Sequence, residues 1–184
     1  PTYPRSSAVF DLDSSALIRY VQQYLNAGVD FGGQPLGLHN DPRTRFTVGT
    51  GFEPEALDLA GEMAKLERKL EAGADYIMTQ PVFRNEALAA LEPFRQQVPV
   101  LVGVLVLANL EHARRMAAVP GVVVPDEIFA RLEKYEKAED QAAAAAELAA
   151  EQVRWIKKEG WAGLYLMSPA TQSRIIDVLG SGLP

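Results

Sequence analysis

Gln80 closes the apolar stretch Ala74-Asp-Tyr-Ile-Met-Thr-Gln-Pro-Val-Phe83 with an uncharged carboxamide. One planar group there offers an acceptor oxygen and two donor protons. That chemistry suits a heterocycle presenting a donor beside an acceptor, such as a pterin or a flavin ring. A neutral amide can also lie in a dry pocket at modest cost once it is paired. The same side chain could instead cap neighbouring backbone groups, and its position alone leaves both readings open. Pro81 follows and is expected to turn the chain away from the sheet ladder.

Three further sets of residues could carry chemistry. Glu62, Lys65 and Lys69 fall at i, i+3 and i+7 of a helical segment, with Arg68 beside them. Such a cationic face could hold phosphate or ribose groups, or it could be an ordinary solvated face with ion pairs along the helix. Gly49-Thr50-Gly51 would let the backbone approach a flat ring or a phosphate closely, or it could be a simple tight turn. His112 stands a short loop beyond a strand and could face a pocket; a surface or partner contact is the alternative. His39 lies in a Gly/Pro loop, and Trp155 and Trp161 read as packing residues. No Ser/His/Asp set and no paired-carboxylate spacing is legible. Redox chemistry, if present, would therefore be carried by a cofactor that protein groups position.

The elements that must place these residues alternate. Residues 14–27 form an amphipathic helix after possible caps at Asp13 and Ser14, with Gly28 as its stop. Residues 29–45 make a long loop, and Phe46–Gly51 a short strand ending in glycines. Residues 54–72 read as a helix with Pro54 in its first turn, a stripe of Leu59, Met63, Leu66 and Leu70, and Gly73 at its end. A strand over 74–80 and a helix over 85–97 follow, the latter burying Leu88, Leu91 and Phe94. The run Val98–Leu107 is almost wholly apolar, as a strand covered on both faces must be. A short helix over 109–118 comes next, then a helix from Asp126 that breaks around Ala138–Asp140. The alanine-rich segment 141–158 is strongly helical by propensity, with Leu148, Val153 and Ile156 on its apolar side and Gly160 at its end. A strand over 164–167 and a helix over 171–179 complete the pattern.

Alternation of short strands and helices predicts a parallel α/β sheet. Gly49-Thr-Gly51 lacks the third glycine of a dinucleotide fingerprint, so an open nucleotide-binding sheet is disfavoured. Polar residues close every strand, at Gly49-Thr50, Thr79-Gln80, Ala108-Asn109 and Ser168, which is where a (β/α)8 barrel presents its ligand groups. Four strands cannot close a barrel, so the expectation is half a barrel, spanning residues 1–184 as part of one domain. The chain of 184 residues carries a net charge of −6, which disfavours a nucleic-acid surface. It contains no cysteine, which excludes disulfides and thiolate sites, and two histidines are too few for a multi-histidine metal centre. No apolar run reaches membrane-spanning length. The cytosol is the expected compartment.

Leu66-Glu-Arg-Lys-Leu-Glu-Ala-Gly-Ala-Asp-Tyr-Ile-Met-Thr-Gln-Pro-Val-Phe83 resembles the 5,10-methylenetetrahydrofolate reductase family, most of all the branch fused behind a homocysteine methyltransferase module. Val9-Phe10-Asp11, the loop Gly33-Gln-Pro-Leu-Gly37 and Gly103 extend the likeness along the whole chain. The resemblance implies a (β/α)8 barrel with non-covalent FAD, in which NAD(P)H reduces the flavin. The flavin then reduces methylenetetrahydrofolate to methyltetrahydrofolate in one-carbon and methionine metabolism. It implies folate and nicotinamide contacts for Gln80, a folate-side position for His112, and FAD-side positions for Gly49, Thr50, Glu62, Lys65, Arg68 and Lys69. Ala170 stands where some members carry a folate-contacting arginine, which puts that contact in doubt.

The family's catalytic glutamate and flavin-tuning aspartate have no counterpart in these residues. The chain therefore matches strands five to eight, a fragment not expected to catalyse alone. It would work with the remainder of the same polypeptide or as a homo-oligomer. Two alternatives stand beside this reading: a non-catalytic half-barrel module that needs a partner chain, and another pterin-binding barrel enzyme.

Overall fold

The computed structural model describes residues 11–37, 40–169 and 178–180. His39, Ala170 and most of the expected helix over 171–179 lie outside them. The chain divides into two compact units, Pro1–Gly49 with Ala64–Asp75, and Thr50–Met63 with Tyr76–Pro184.

In the first unit, Asp13 caps α1 (Ser14–Tyr20), its carboxylate accepting from the Ala16 N–H at 2.7 Å. The helix runs on as a π turn over Val21–Leu25, and Gly28 follows at a φ of 76°. Ile18, Ala72 and Ala74 form a small core, with Val48 and Leu70 packed against it. Polar side chains tie its segments together. Gln22 donates to the Gly73 carbonyl and to Asp75 Oδ2, each at 2.8 Å. The same Asp75 oxygen accepts from the Val48 N–H at 2.7 Å. Asn26 holds Phe46 through the backbone N–H and carbonyl of that residue.

These side-chain bonds explain why the first strand begins later than Phe46. Residues 46–48 are engaged by Asn26 and Asp75, and β1 covers Gly49–Phe52. The second helix also starts late. Asp58 supplies its cap, accepting from the Gly61 N–H at 2.9 Å, and α2 spans Leu59–Glu71. Pro54 thus sits in a preceding turn and outside the helix. Gly73, at a φ of 103°, makes the left-handed stop that a residue with a Cβ would resist.

The second unit holds β2 (Tyr76–Pro81), β3 (Val100–Leu105) and β4 (Gly163–Met167). With β1 they make a four-stranded parallel sheet in the order β1-β2-β3-β4, consistent with a partial barrel. Between β2 and β3 lies a 3-10 helix, Asn85–Leu91, followed by turns. Leu88, Leu91 and Phe94 are buried as the sequence predicts, although the expected α-helix over 85–97 is not formed.

Beyond β3 come α3 (Leu110–Ala117), α4 (Asp126–Leu132) and α5 (Ala138–Lys158). The break falls just before Ala138, so α5 is longer than its alanine-rich core. That core is close packing: Ala142, Ala144, Ala145, Ala149 and Ala150 are buried together with Val153 and Ile156. Leu105, Leu107, Val124, Ile128 and Leu132 share a cluster with Ala144 and Ala145. Trp161 is buried, with the Arg95 guanidinium 4.2 Å above its ring. Among the described residues no helix is long and apolar enough to cross a membrane.

Candidate functional site

The site follows from how the sheet alternates. In β2, Ile77, Thr79 and Pro81 are buried, whereas Tyr76 and Met78 are half-buried and Gln80 is exposed. Met78 pairs with Leu101, and Leu101 pairs with Gly163; Gly103 pairs with Tyr165. Paired residues of parallel strands point to the same side. Tyr76, Met78 and Leu101 are half-buried and Gln80 and Tyr165 exposed, so one face of the sheet is open; the buried Gly103 lies in the strand between Gln80 and Tyr165. In β1 the same alternation buries Thr50 and Phe52 and leaves Gly51 open. A Cβ built on Gly51 would meet nothing within 4 Å.

The end of β2 departs from regular pairing. Met78 pairs with Leu101, yet Pro81 pairs with Gly103, so Thr79 and Gln80 together face the single residue Val102. This is a β-bulge, a local insertion that bends a strand and re-aims a side chain. Pro81 therefore does not turn the chain out of the ladder. It ends β2 at the bulge, where a missing N–H is tolerated, and the Val82 N–H resumes pairing with the Gly103 carbonyl at 3.0 Å. Thr79 fastens the bulge. Its hydroxyl accepts from the Gly103 N–H at 2.7 Å and donates to the Gln80 carbonyl at 2.8 Å.

The other polar strand ends also turn toward their own backbone. Thr50 is buried, its hydroxyl 3.4 Å from the Gly51 carbonyl. Asn109 caps α3, accepting from the His112 N–H at 2.8 Å. His112 Nδ1 accepts from the Ala108 N–H at 3.1 Å, which leaves Nε2 to carry the proton of the neutral ring. Burial first, and the Arg115 charge second, push this imidazole below its ordinary pKa. The strand-end polar residues expected to face a ligand thus divide. The Gln80 side chain stays on the open face, while Thr50, Thr79 and Asn109 brace loops and strands.

A charged pair that sequence reasoning missed joins the turns after β1 and β2. The Glu55 carboxylate, 5% exposed, accepts from Arg84 Nε at 2.8 Å, and from Nη2 of the same guanidinium. Its Oε2 is buried with no hydrogen-bond partner among the described residues. Twenty-nine residues separate the pair, and nothing in the local pattern links them. Between the 3-10 helix and α5 there is also a cavity of about 330 Å3, bordered by Phe83, Leu105, Leu107, Ala149 and Trp155.

Of the cationic set, Lys65 and Arg68 are exposed and Lys69 is half-buried on α2, where Glu62 precedes them by one turn. These four share the helix, but Glu62 belongs to the second compact unit and the three cations to the first, as Gly49 does. Among the described residues no cluster of three His, Asp or Glu could hold a metal ion.

A parallel sheet followed by helices, with an open face that carries a carboxamide at the end of β2, defines the class: an α/β protein of partial-barrel form. The family is shown directly. The methylenetetrahydrofolate reductase family model matches residues 13–180, and the chain belongs to that family. No curated protein sequence matches it. Among solved structures, it is similar to an uncharacterized protein from Clostridium thermocellum that binds two copies of 5-methyl-5,6,7,8-tetrahydrofolic acid. The identity is 16% and the TM-score 0.54, over 96% of this chain and 60% of that one. At that identity the likeness speaks to fold alone, and this chain spans about three fifths of the other protein's length.

Proposed function

We propose that this chain is the folate- and flavin-facing part of a flavin-dependent methylenetetrahydrofolate reductase that draws its electrons from NAD(P)H. The observation that carries the reading is the Gln80 carboxamide, presented on the open sheet face at the end of β2 with Gly103 beside it. Family membership over residues 13–180 supplies the substrate class. A carboxamide so placed donates to and accepts from the amide edge of a pterin, and it can serve the carboxamide of a nicotinamide in the same way. His112 offers Nε2–H as a further donor, because Nδ1 is already engaged by Ala108.

The residues present fit an FAD requirement in kind. On α2, Lys65, Arg68 and Lys69 would supply cationic groups for a pyrophosphate. Gly51 leaves the end of β1 clear of a side chain, and Thr50, being buried, would contribute only backbone. When bound, FAD supplies the two-electron relay between nicotinamide and folate. The protein groups named here bind and orient.

Titration with 5-methyltetrahydrofolate tests this reading. Gln80→Ala in the intact protein should weaken binding by roughly five- to a hundredfold, the effect of losing one or two hydrogen bonds to a ligand. Unchanged affinity would remove Gln80 from the site. A second reading, a half-barrel module completed by a partner chain, draws on the exposed Tyr165 in β4. It predicts a concentration-dependent mass in sedimentation.

A further inference from the structure

We infer that Thr79 is the positioning residue for Gln80, acting through the bulge that it and Gly103 create. The inference rests on the reading of Gln80 as a ligand-contacting group. Thr79 is buried, so it cannot touch a ligand on the open face. Its hydroxyl nevertheless makes two bonds that converge on Gln80. It accepts from the N–H of Gly103, the residue flanking Gln80 in the next strand, and it donates to the backbone carbonyl of Gln80 itself. One hydroxyl thus uses its proton and a lone pair to hold both sides of the bulge.

Gly103 completes the device. A Cβ there would lie 2.5 Å from the Thr79 carbonyl oxygen and 2.6 Å from that of Gln80, so the bulge carbonyls occupy the space a side chain would need. The bulge bends β2 at this point, while Gln80 keeps the outward phase of Tyr76 and Met78, so what the bulge sets is the place of the peptide that carries the carboxamide. The hydroxyl fixes the peptide from which the carboxamide projects, and a shift of that peptide moves the carboxamide by a comparable distance. Ligand recognition by a planar donor–acceptor group is sensitive to such displacements.

The chemistry requires a hydroxyl at this position. Valine matches threonine in shape but can neither accept from Gly103 nor donate to Gln80. Serine keeps both bonds and loses a methyl group. The test is a binding titration of 5-methyltetrahydrofolate against the intact protein and its variants, with thermal melts alongside. Thr79→Val should weaken binding about tenfold, and Thr79→Ser should restore it to within about twofold of the parent. Adding Thr79→Val to Gln80→Ala should cause no further loss, because the threonine acts through the glutamine. Should Thr79→Val fail to fold, Thr79→Ala takes its place in the same cycle.

Outcomes separate the two ideas. If Gln80→Ala weakens binding while a folded Thr79→Val or Thr79→Ala binds like the parent, the positioning role is wrong and the reading of Gln80 stands. Fully additive losses would likewise overturn it, since they would show an effect independent of Gln80. If Gln80→Ala changes nothing, the proposed function fails first and takes this inference with it.

Discussion

Gly103→Ala should be among the most damaging single-methyl additions this sheet can receive. The added carbon would stand 2.5 Å and 2.6 Å from two carbonyl oxygens and 2.9 Å from a carbonyl carbon, all of them backbone atoms of Thr79 and Gln80. A flexible side chain could swing aside; a bulge held by two hydrogen bonds cannot. Overpacking of this kind costs about 1–3 kcal/mol. Separating the strands would also strain the Thr79–Gly103 bond, worth about 1 kcal/mol. A total near 3 kcal/mol corresponds to a fall in Tm of roughly 6–12 °C for a chain of this size. The assay is thermal or urea unfolding of Gly103→Ala beside Gly51→Ala, whose new methyl would enter open space. Gly51→Ala should unfold within about 2 °C of the parent. Equal stability of the two variants would refute the reasoning, because it would mean the bulge carbonyls do not occupy the space above Gly103.

Two further outcomes follow from one half-buried and one buried polar group. His112 has its pKa lowered on folding, so the unfolded chain binds a proton more readily; stability contributed by the neutral ring is complete above the unfolded value, about 6.5, and declines as pH falls below it. Melting curves between pH 7.5 and 5 should show that decline, with His112→Gln flattening part of it, and an unchanged slope would remove the assignment. Trp161 is buried with its indole N–H lacking a partner among the described residues. Trp161→Phe, which removes that N–H, should lie within about 1 kcal/mol of the parent, whereas Trp161→Ala should cost about 3–5 kcal/mol in urea unfolding.

The alternation of apolar strands and helices was readable because each element carries its own period. The caps and stops at Asp13, Gly28, Gly73 and Gly160 were readable because they act within one turn. Element starts were less so. Whether Phe46 begins a strand depends on Asn26, twenty residues earlier, and whether Pro54 begins a helix depends on Asp58 competing as the cap. The site shows the same division. Gln80 stood out by type and place, but the destinations of Thr50, Thr79 and Asn109 depend on which backbone groups lie opposite. Thr79 reaches Gly103 across 24 residues, and Glu55 meets Arg84 across 29. Such pairs become visible only once the strands are aligned.

That alignment is itself a problem the bulge solves. Val98–Leu107 is so uniformly apolar that sliding it by two positions would bury much the same surface. Gly103 is the one glycine in that run, and hence the one place that admits the two crowded carbonyls of β2. It works as a notch: only one setting of the third strand lets the tooth of the second fall into place. The strand on the far side, which meets Gly103 through Tyr165, inherits that setting. A single missing side chain thus keys three strands to one another in a stretch whose hydrophobicity alone would allow them to slip.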